Sequence, residues 1–370
     1  MKKLLKVVAG AIGTVVLALG VLVLAAVGTE YRPGDVVVEP VSCTSPGEPL
    51  EAGVPFTVLS WNVQYGASRK HQFFYDGGDA VHVPPGDVAD TVRDVAAVLQ
   101  DTDAELTLIQ EMDRGSRRTG MVDMLAPWQA ATRAACAVTT PYHRSAFVPK
   151  PFTNPLGRVD MHLALLSKAP LRNALRTQLA LLDEPRVVQV FNLKRALLTA
   201  EVPVEGLDQP LAVAVTHLSA FSFGDGTLAA QVGALDDWMA ARPEGQPWIL
   251  AGDMNLLPTG DDKSRLAVER DLYADAASPI DPLLSRYREV LGNDRQLLEE
   301  NRTYLPFGAS EPDRKIDYMF VGGPLEVLEA RVMREHTAIS DHLPIQARLR
   351  VSPPPAPQPA VSPEAPPSAP

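Results

Sequence analysis

Six places in this 370-residue chain bring polar side chains of one chemical kind to apolar runs or to the turns beside them. They are Asn62, Glu111, His217, Asp253 with Asn255, Asp317, and Asp341 with His342. The most pointed is Trp248-Ile-Leu-Ala-Gly-Asp-Met-Asn255, where a short apolar stretch stops in Asp253 and Asn255. Such a run, bounded by Pro247, reads as a buried strand. Alternation along a strand puts Asp253 and Asn255 on one side of its end. A carboxylate and an amide so placed can hold a water, a metal ion or a phosphate oxygen. Each residue also has a plainer use. Asp253 and Asn255 could simply end a strand in a turn, Asn62 could cap a turn, and Glu111 could lie on the surface. His217 could be a satisfied core histidine, and Asp317 could pair with Arg314 or Lys315. Together the plain uses require six coincidences. Hard oxygen donors suit Mg2+ or Mn2+, which are held by one or two carboxylates plus waters and substrate phosphate. The absence of a His-x-x-x-His pair or a Cys cluster disfavours zinc.

The elements that must carry these residues follow from periodicity. Phe56–Asn62 reads as the first strand, followed by a Gly-rich aromatic loop, His71–Asp79, of the kind that shapes binding sites. Asp87–Gln100 has helical spacing, with Val88, Val92, Val95, Val98 and Leu99 on one face. Glu105–Glu111 is a second strand, and a second helix is expected within Met121–Cys136. Strands are expected at His143–Val148, Met161–Ser167, Val187–Leu193, Ala196–Val202 and Leu211–His217. A helix near Leu228–Ala240 precedes the strand of Asp253. Residues 262–300 read as helical, and Lys315–Val321 is the last expected strand. Several strands follow one another directly between 143 and 202, which excludes a simple alternation of strand and helix. The fold class is α/β with mixed sheets, two sheets packed together with helices outside.

Both ends of the chain differ from this body. Lys2, Lys3 and Lys6 precede an uncharged run, Val7–Val27, long enough as a helix to span roughly 31 Å, about one hydrocarbon core. Residues 1–28 therefore read as a membrane anchor, or as a cleaved signal segment, with the body outside the cytoplasm. Residues 29–54 read as a linker, 55–350 as the catalytic domain, and 351–370 as a Pro-rich disordered tail. The two cysteines, Cys43 and Cys136, permit one disulfide in an oxidising compartment. The net charge of −11 disfavours tight non-specific nucleic-acid binding, which needs many Lys and Arg on phosphates.

The ordered set Ser-Trp-Asn62, Gln-Glu111, Thr-His217, Gly-Asp253-Met-Asn255, Ile-Asp317-Tyr and Ser-Asp341-His342-x-Pro resembles the endonuclease/exonuclease/phosphatase superfamily over roughly 56–350. The resemblance implies the deoxyribonuclease-I-like fold, a four-layer α/β/β/α sandwich. It implies Glu111 as the main metal carboxylate, with Asn62 helping to hold the metal or a phosphate oxygen and Asp341 supporting the metal. His342 would be the general base, oriented by Asp317. Asp253 and Asn255 would position water and the phosphoryl group, and His217 would donate to the phosphate. Base-repair nucleases of the superfamily carry an acid two residues after the first Asn, where this chain has Gln64. That departure, with the anchor and the acidic balance, favours a Mg2+-dependent phosphodiesterase acting on a phospholipid or sphingolipid headgroup, similar to sphingomyelinases. The alternatives are an exported nuclease and a non-catalytic envelope protein that binds phosphorylated ligands. Arg117-Arg118, Arg158 and Lys194-Arg195 are candidate phosphate contacts.

Overall fold

A computed structural model of the protein describes residues 2–220, 224–266, 268–273, 277–296 and 298–353. Two seven-stranded sheets form the body. The first runs Val36–Val38, Arg172–Gln178, Ala196–Val202, Leu211–His217, Trp248–Asp253, Asp317–Gly322 and Arg288–Glu289. The second runs Leu325–Val332, Ile345–Val351, Pro55–Asn62, Leu106–Asp113, Gly157–Ser167, Cys136–Val148 and Ser42–Cys43. Each sheet has one parallel pair, Leu211–His217 beside Trp248–Asp253 and Pro55–Asn62 beside Leu106–Asp113. All other pairs within these two sheets are antiparallel.

The layers follow from the period of two in the strands. Val213, Val215, Ile249, Ala251, Met319 and Val321 join one buried cluster with the second sheet. Their alternates Ala212, Ala214, Leu250, Tyr318 and Phe320 pack with Leu228, Val232, Leu235 and Met239 of the helix Thr227–Ala240. On the far side, Pro85–Thr102 turns Val88, Val95, Val98 and Leu99 into the core, and Leu125–Thr132 lies beside it. This is the expected four-layer sandwich.

Several expectations need correction. Val187–Leu193 is not a strand: Pro185 starts the short helix Arg186–Gln189, and Val187 and Val188 are exposed, so the apolar run has no sheet to join. Among the described residues, 262–300 hold turns, the six-residue helix Asp281–Arg286 and the two-residue edge strand Arg288–Glu289. Strands Arg172–Gln178, Leu325–Val332 and Ile345–Val351 were not anticipated: Arg172–Gln178 has only Ala174 and Leu175 as apolar residues and Leu325–Val332 is interrupted by a register shift, whereas Ile345–Val351 does alternate apolar with polar residues. Residues 29–54 are not a free linker: Val36–Val38 and Ser42–Cys43 extend the two sheets, and Leu50–Glu51 pairs with Val204–Glu205. Cys43 faces Cys136 across the second sheet, and the two form a disulfide. Of the expected tail, Val351 ends the last strand, and residues 354–370 lie outside the described residues.

Lys2–Gly28 forms one 27-residue helix. Among the described residues no helix is long and apolar enough to cross a membrane. The side chains of this helix are described only in part, and those of Val8, Ile12, Val16, Leu17, Val21 and Leu24 are exposed.

Candidate active site

Register assembles the site. His217 pairs across the sheet with Asp253, and Asp253 with Asp317, so three adjacent strands set three polar residues in one row. All three continue the alternation whose earlier members, Val215, Ala251 and Met319, face the second sheet. The row therefore sits at the rim of the cleft between the sheets. Close passage of two strands is required there. A Cβ on Gly252 would lie 1.9 Å from the Thr216 carbonyl oxygen, and its φ of 150° suits only glycine.

The second sheet supplies the opposite wall. Asn62 ends its strand with the amide nitrogen 3.1 Å from both Glu111 Oε1 and Asp253 Oδ2. Regular alternation from Gln110 would send Glu111 to the other face. The strand instead carries a bulge between Ile109 and Met112, with Glu111 at φ 61°. An extra residue in left-handed conformation re-aims a side chain, and here it brings Glu111 into the cleft. Asn255 corrects the simple alternation in the same way. Its strand stops at Asp253, and Asn255 lies beyond it at φ 51°, with its backbone N–H donating to Asp253 Oδ1 at 2.9 Å and its amide nitrogen to Leu218 O at 3.1 Å.

His342 closes the group from the loop before the last strand. Its Nδ1 is 2.9 Å from Asp317 Oδ2 and its Nε2 3.5 Å from Asp253 Oδ2. Its backbone N–H donates to Ser340 Oγ, its carbonyl accepts from Trp61 Nε1, and its ring meets Tyr304 edge-on at 5.0 Å. Asp341 joins through Gln64, whose Oε1 accepts from the Asp341 N–H at 3.2 Å and whose own N–H donates to Asn62 Oδ1 at 3.0 Å. All eight residues singled out in the sequence thus converge.

The two histidines are pushed in opposite directions. Burial, reinforced by the charges of Arg195 and His342, drives His217 well below the ordinary histidine value. Burial also opposes charge on His342, but the carboxylates of Asp317 and Asp253 outweigh it and push His342 well above that value. Burial and the neighbouring Asp317 and Glu111 charges raise Asp253 to about 7, against the pull of His342. Burial and Glu111 raise Asp341 to about 6. Neighbouring groups with separated protonation preferences are the pattern of acid–base sites.

The donor set fits a hard divalent cation, with the carboxylates of Glu111, Asp253, Asp317 and Asp341 in one buried neighbourhood. Ligand atoms of Asp253, Asp317 and His342 lie within 4.8 Å of one another. Asn62, expected to help hold the metal or a phosphate oxygen, presents its side-chain nitrogen to this group. Its oxygen accepts from Gln64, and its nitrogen faces the two carboxylates, so it acts as a donor that holds them together.

Of the candidate phosphate contacts, most are already engaged. Arg118 pairs with Asp113 at 2.9 Å, Arg158 with Asp160 and the Gly115 carbonyl, and Lys194 with Glu30; Arg117 lies over Gly157. Arg195 is buried beside the site, donating from Nη1 to the His217 carbonyl at 3.3 Å and lying 5.5 Å from the Tyr142 ring. Tyr142 was missed from the sequence. Its hydroxyl is 3.1 Å from His217 Nδ1, yet nothing distinguishes it within an ordinary strand.

Residues 59–342 match the sequence signature of the Endonuclease/Exonuclease/phosphatase family. The chain belongs to that family. Its members are generally metal-dependent phosphoester hydrolases. No curated protein matches the chain. Among solved structures it is similar to an endonuclease/exonuclease/phosphatase from Beutenbergia cavernae DSM 12333, at 22% identity and TM-score 0.54, over 80% of this chain and 72% of the other. It is also similar to a functionally unknown conserved protein from Enterococcus faecalis V583, at 14% and 0.52, over 80% and 100%. The human Nocturnin catalytic domain aligns at 14% and 0.50, over 85% and 97%. At these identities the likeness concerns the fold.

Proposed function

We propose that the chain is a membrane-tethered, Mg2+- or Mn2+-dependent phosphodiesterase outside the cytoplasm that acts on a phospholipid or sphingolipid headgroup. The observation that carries the hydrolase reading is His342, held by Asp317 at 2.9 Å and facing the buried Asp253 at 3.5 Å. His342 moves the proton of the attacking water, and Asp317 fixes its ring. Asp253 and Asn255 orient that water and the phosphoryl group. His217 and Arg195 donate to phosphate oxygens as negative charge builds. Glu111 and Asp341 are the carboxylates for the metal, with Asn62 holding Glu111. When bound, the cation withdraws charge from the phosphoryl oxygens and favours ionisation of water.

The tether rests on the uncharged run Val7–Val27 within the helix Lys2–Gly28. The Cys43–Cys136 disulfide supports an oxidising compartment. Tethering raises the effective concentration of a lipid substrate. The test is hydrolysis of bis-p-nitrophenyl phosphate, sphingomyelin and plasmid DNA by the full chain, with Mg2+ or EDTA. Metal-dependent lipid turnover supports the reading, plasmid nicking without it moves the assignment to a nuclease, and no turnover of any substrate removes the enzyme.

Arg195→Gln should lower turnover about 100-fold, as loss of one oxyanion donor does; an unchanged rate in steady-state assays would take Arg195 out of the site. Metal binding should depend on pH. Asp253 and Asp341 hold protons more tightly in the folded protein than at the ordinary 3.8. The stability they contribute is full below that value and lost as pH rises through about 6 and about 7. A divalent cation competes with those protons, so the rise in Tm on adding Mg2+ should be larger at about pH 8 than at about pH 5.5. An equal shift at both, by calorimetry, would place the metal elsewhere.

A further inference from the structure

The catalytic residues Asn62, Glu111, His217 and Asp253 all sit at or near the C-terminal ends of their strands, so they define one end of the sandwich. Strand Gly157–Ser167 runs against Leu106–Asp113 with Met161 opposite Asp113, so Gly157 lies beyond Glu111 at that end. Val148 pairs with Gly157, and the turn between them therefore projects past the site. Phe152 in this turn is 82% exposed and Phe147 at its base 49%. In the other sheet, Leu197 is opposite Thr216, so the start of Ala196–Val202 is at the catalytic end, and the helix Arg186–Gln189 with exposed Val187 and Val188 leads into it.

The N-terminal helix leaves the body at this same end. Val36 is opposite Thr177, and Thr177 is opposite Leu197, so the first strand begins there. Glu30, two residues after Gly28, has a side chain only 1% exposed. Its carboxylate takes Arg186 at 2.8 Å and Lys194 at 3.2 Å. The Tyr31 ring lies 5.4 Å from the Arg144 guanidinium and 5.8 Å from that of Arg176. The helix exit is thus latched to the residue that precedes Arg195, which in turn touches His217.

We propose that this end of the sandwich is apposed to the lipid bilayer that holds Lys2–Gly28, with Phe147, Phe152, Val187 and Val188 entering its interface. The inference rests on the tether reading and adds the face and orientation. Arg144 and Arg158, paired with Asp160, and Arg186, paired with Glu30, remain about half exposed, and with these apolar side chains they match the two chemistries of a bilayer surface, acyl chain and phosphate. A latched exit leaves the anchored body little freedom to turn that face away. The active-site mouth then opens onto headgroups.

The experiment uses the full chain reconstituted in phosphatidylcholine vesicles with brominated acyl chains. Phe152→Trp and Val187→Trp are compared with Val54→Trp, whose position immediately precedes the strand Pro55–Asn62 at the opposite end, about 26 Å from the site. Quenching of the new tryptophans at 152 and 187 should exceed that at 54 several-fold. Equal quenching in protein that floats with the vesicles overturns the face and leaves the tether standing; failure to float overturns both. The paired substitution Phe147→Ser with Phe152→Ser should lower turnover of vesicle lipid about 10-fold and leave bis-p-nitrophenyl phosphate turnover unchanged. An equal loss on both substrates would mean that the hairpin serves the fold rather than the membrane.

Discussion

Replacing His342 with alanine is expected to lower metal-dependent phosphodiester turnover by about 100- to 10,000-fold, the range that a positioned acid–base group contributes. The imidazole contacts both Asp317 and Asp253. Its backbone bonds to Ser340 and Trp61 do not involve the ring, so the loop survives the truncation. Asp317→Asn should give a related loss by a different route. The ring keeps its position but loses the carboxylate that favours its charged form, so the pH profile should move to lower pH on the histidine limb. Single-turnover rates against pH would show this. Turnover that survives His342→Ala at near the native rate would remove the acid–base assignment.

Replacing Cys43 and Cys136 together with serine should cost about 4–5 kcal/mol. The bridge closes a loop with a sequence separation of 93, and loop-closure entropy grows slowly with length. That is a large share of the roughly 5–15 kcal/mol that stabilises a domain. The loss falls on a particular place, because the bridge pins the strand Ser42–Cys43 to the edge of the second sheet. The segment from Glu30 to Cys43 connects the helix exit to that edge, so its contacts with Lys194 and Thr140 should loosen as well. Urea unfolding of the oxidised protein and the double variant measures the difference. A change under about 1 kcal/mol would mean that the non-covalent contacts already restrict the unfolded chain as far as the bridge does.

Residue types and order were enough to single out eight residues that the fold brings together. Asp253, His217 and Asp317 end or begin apolar strands whose alternation is unbroken, and alternation alone sends them to the same face as Val215, Ala251 and Met319. His342 follows a Ser-Asp pair in a polar loop. These are local patterns, and they carried the eight site residues, the four layers and the helix Pro85–Thr102. The strand Arg172–Gln178 was not legible because only Ala174 and Leu175 of its seven residues are apolar, and its neighbours bury it. The opposite error arose at Val187 and Val188, where apolar type suggested a strand but Pro185 and the lack of a partner left an exposed turn of helix.

The sequence by itself determined the chemistry: which carboxylates, amides and histidines are present, in what order, and on which strand ends. It determined this because side-chain type and a period of two are properties of neighbouring residues. Tertiary structure decided how those groups are used. The bulge at Glu111 and the left-handed turn at Asn255 depend on strand pairing, and alternation predicts neither. The Asn62 amide acts as a donor because two carboxylates from different strands converge on it. Arg195 stands by the site while Lys194 is taken by Glu30, although the two are adjacent in sequence. Each of these outcomes depends on contacts between residues distant along the chain, and only the packing of the two sheets brings them within reach.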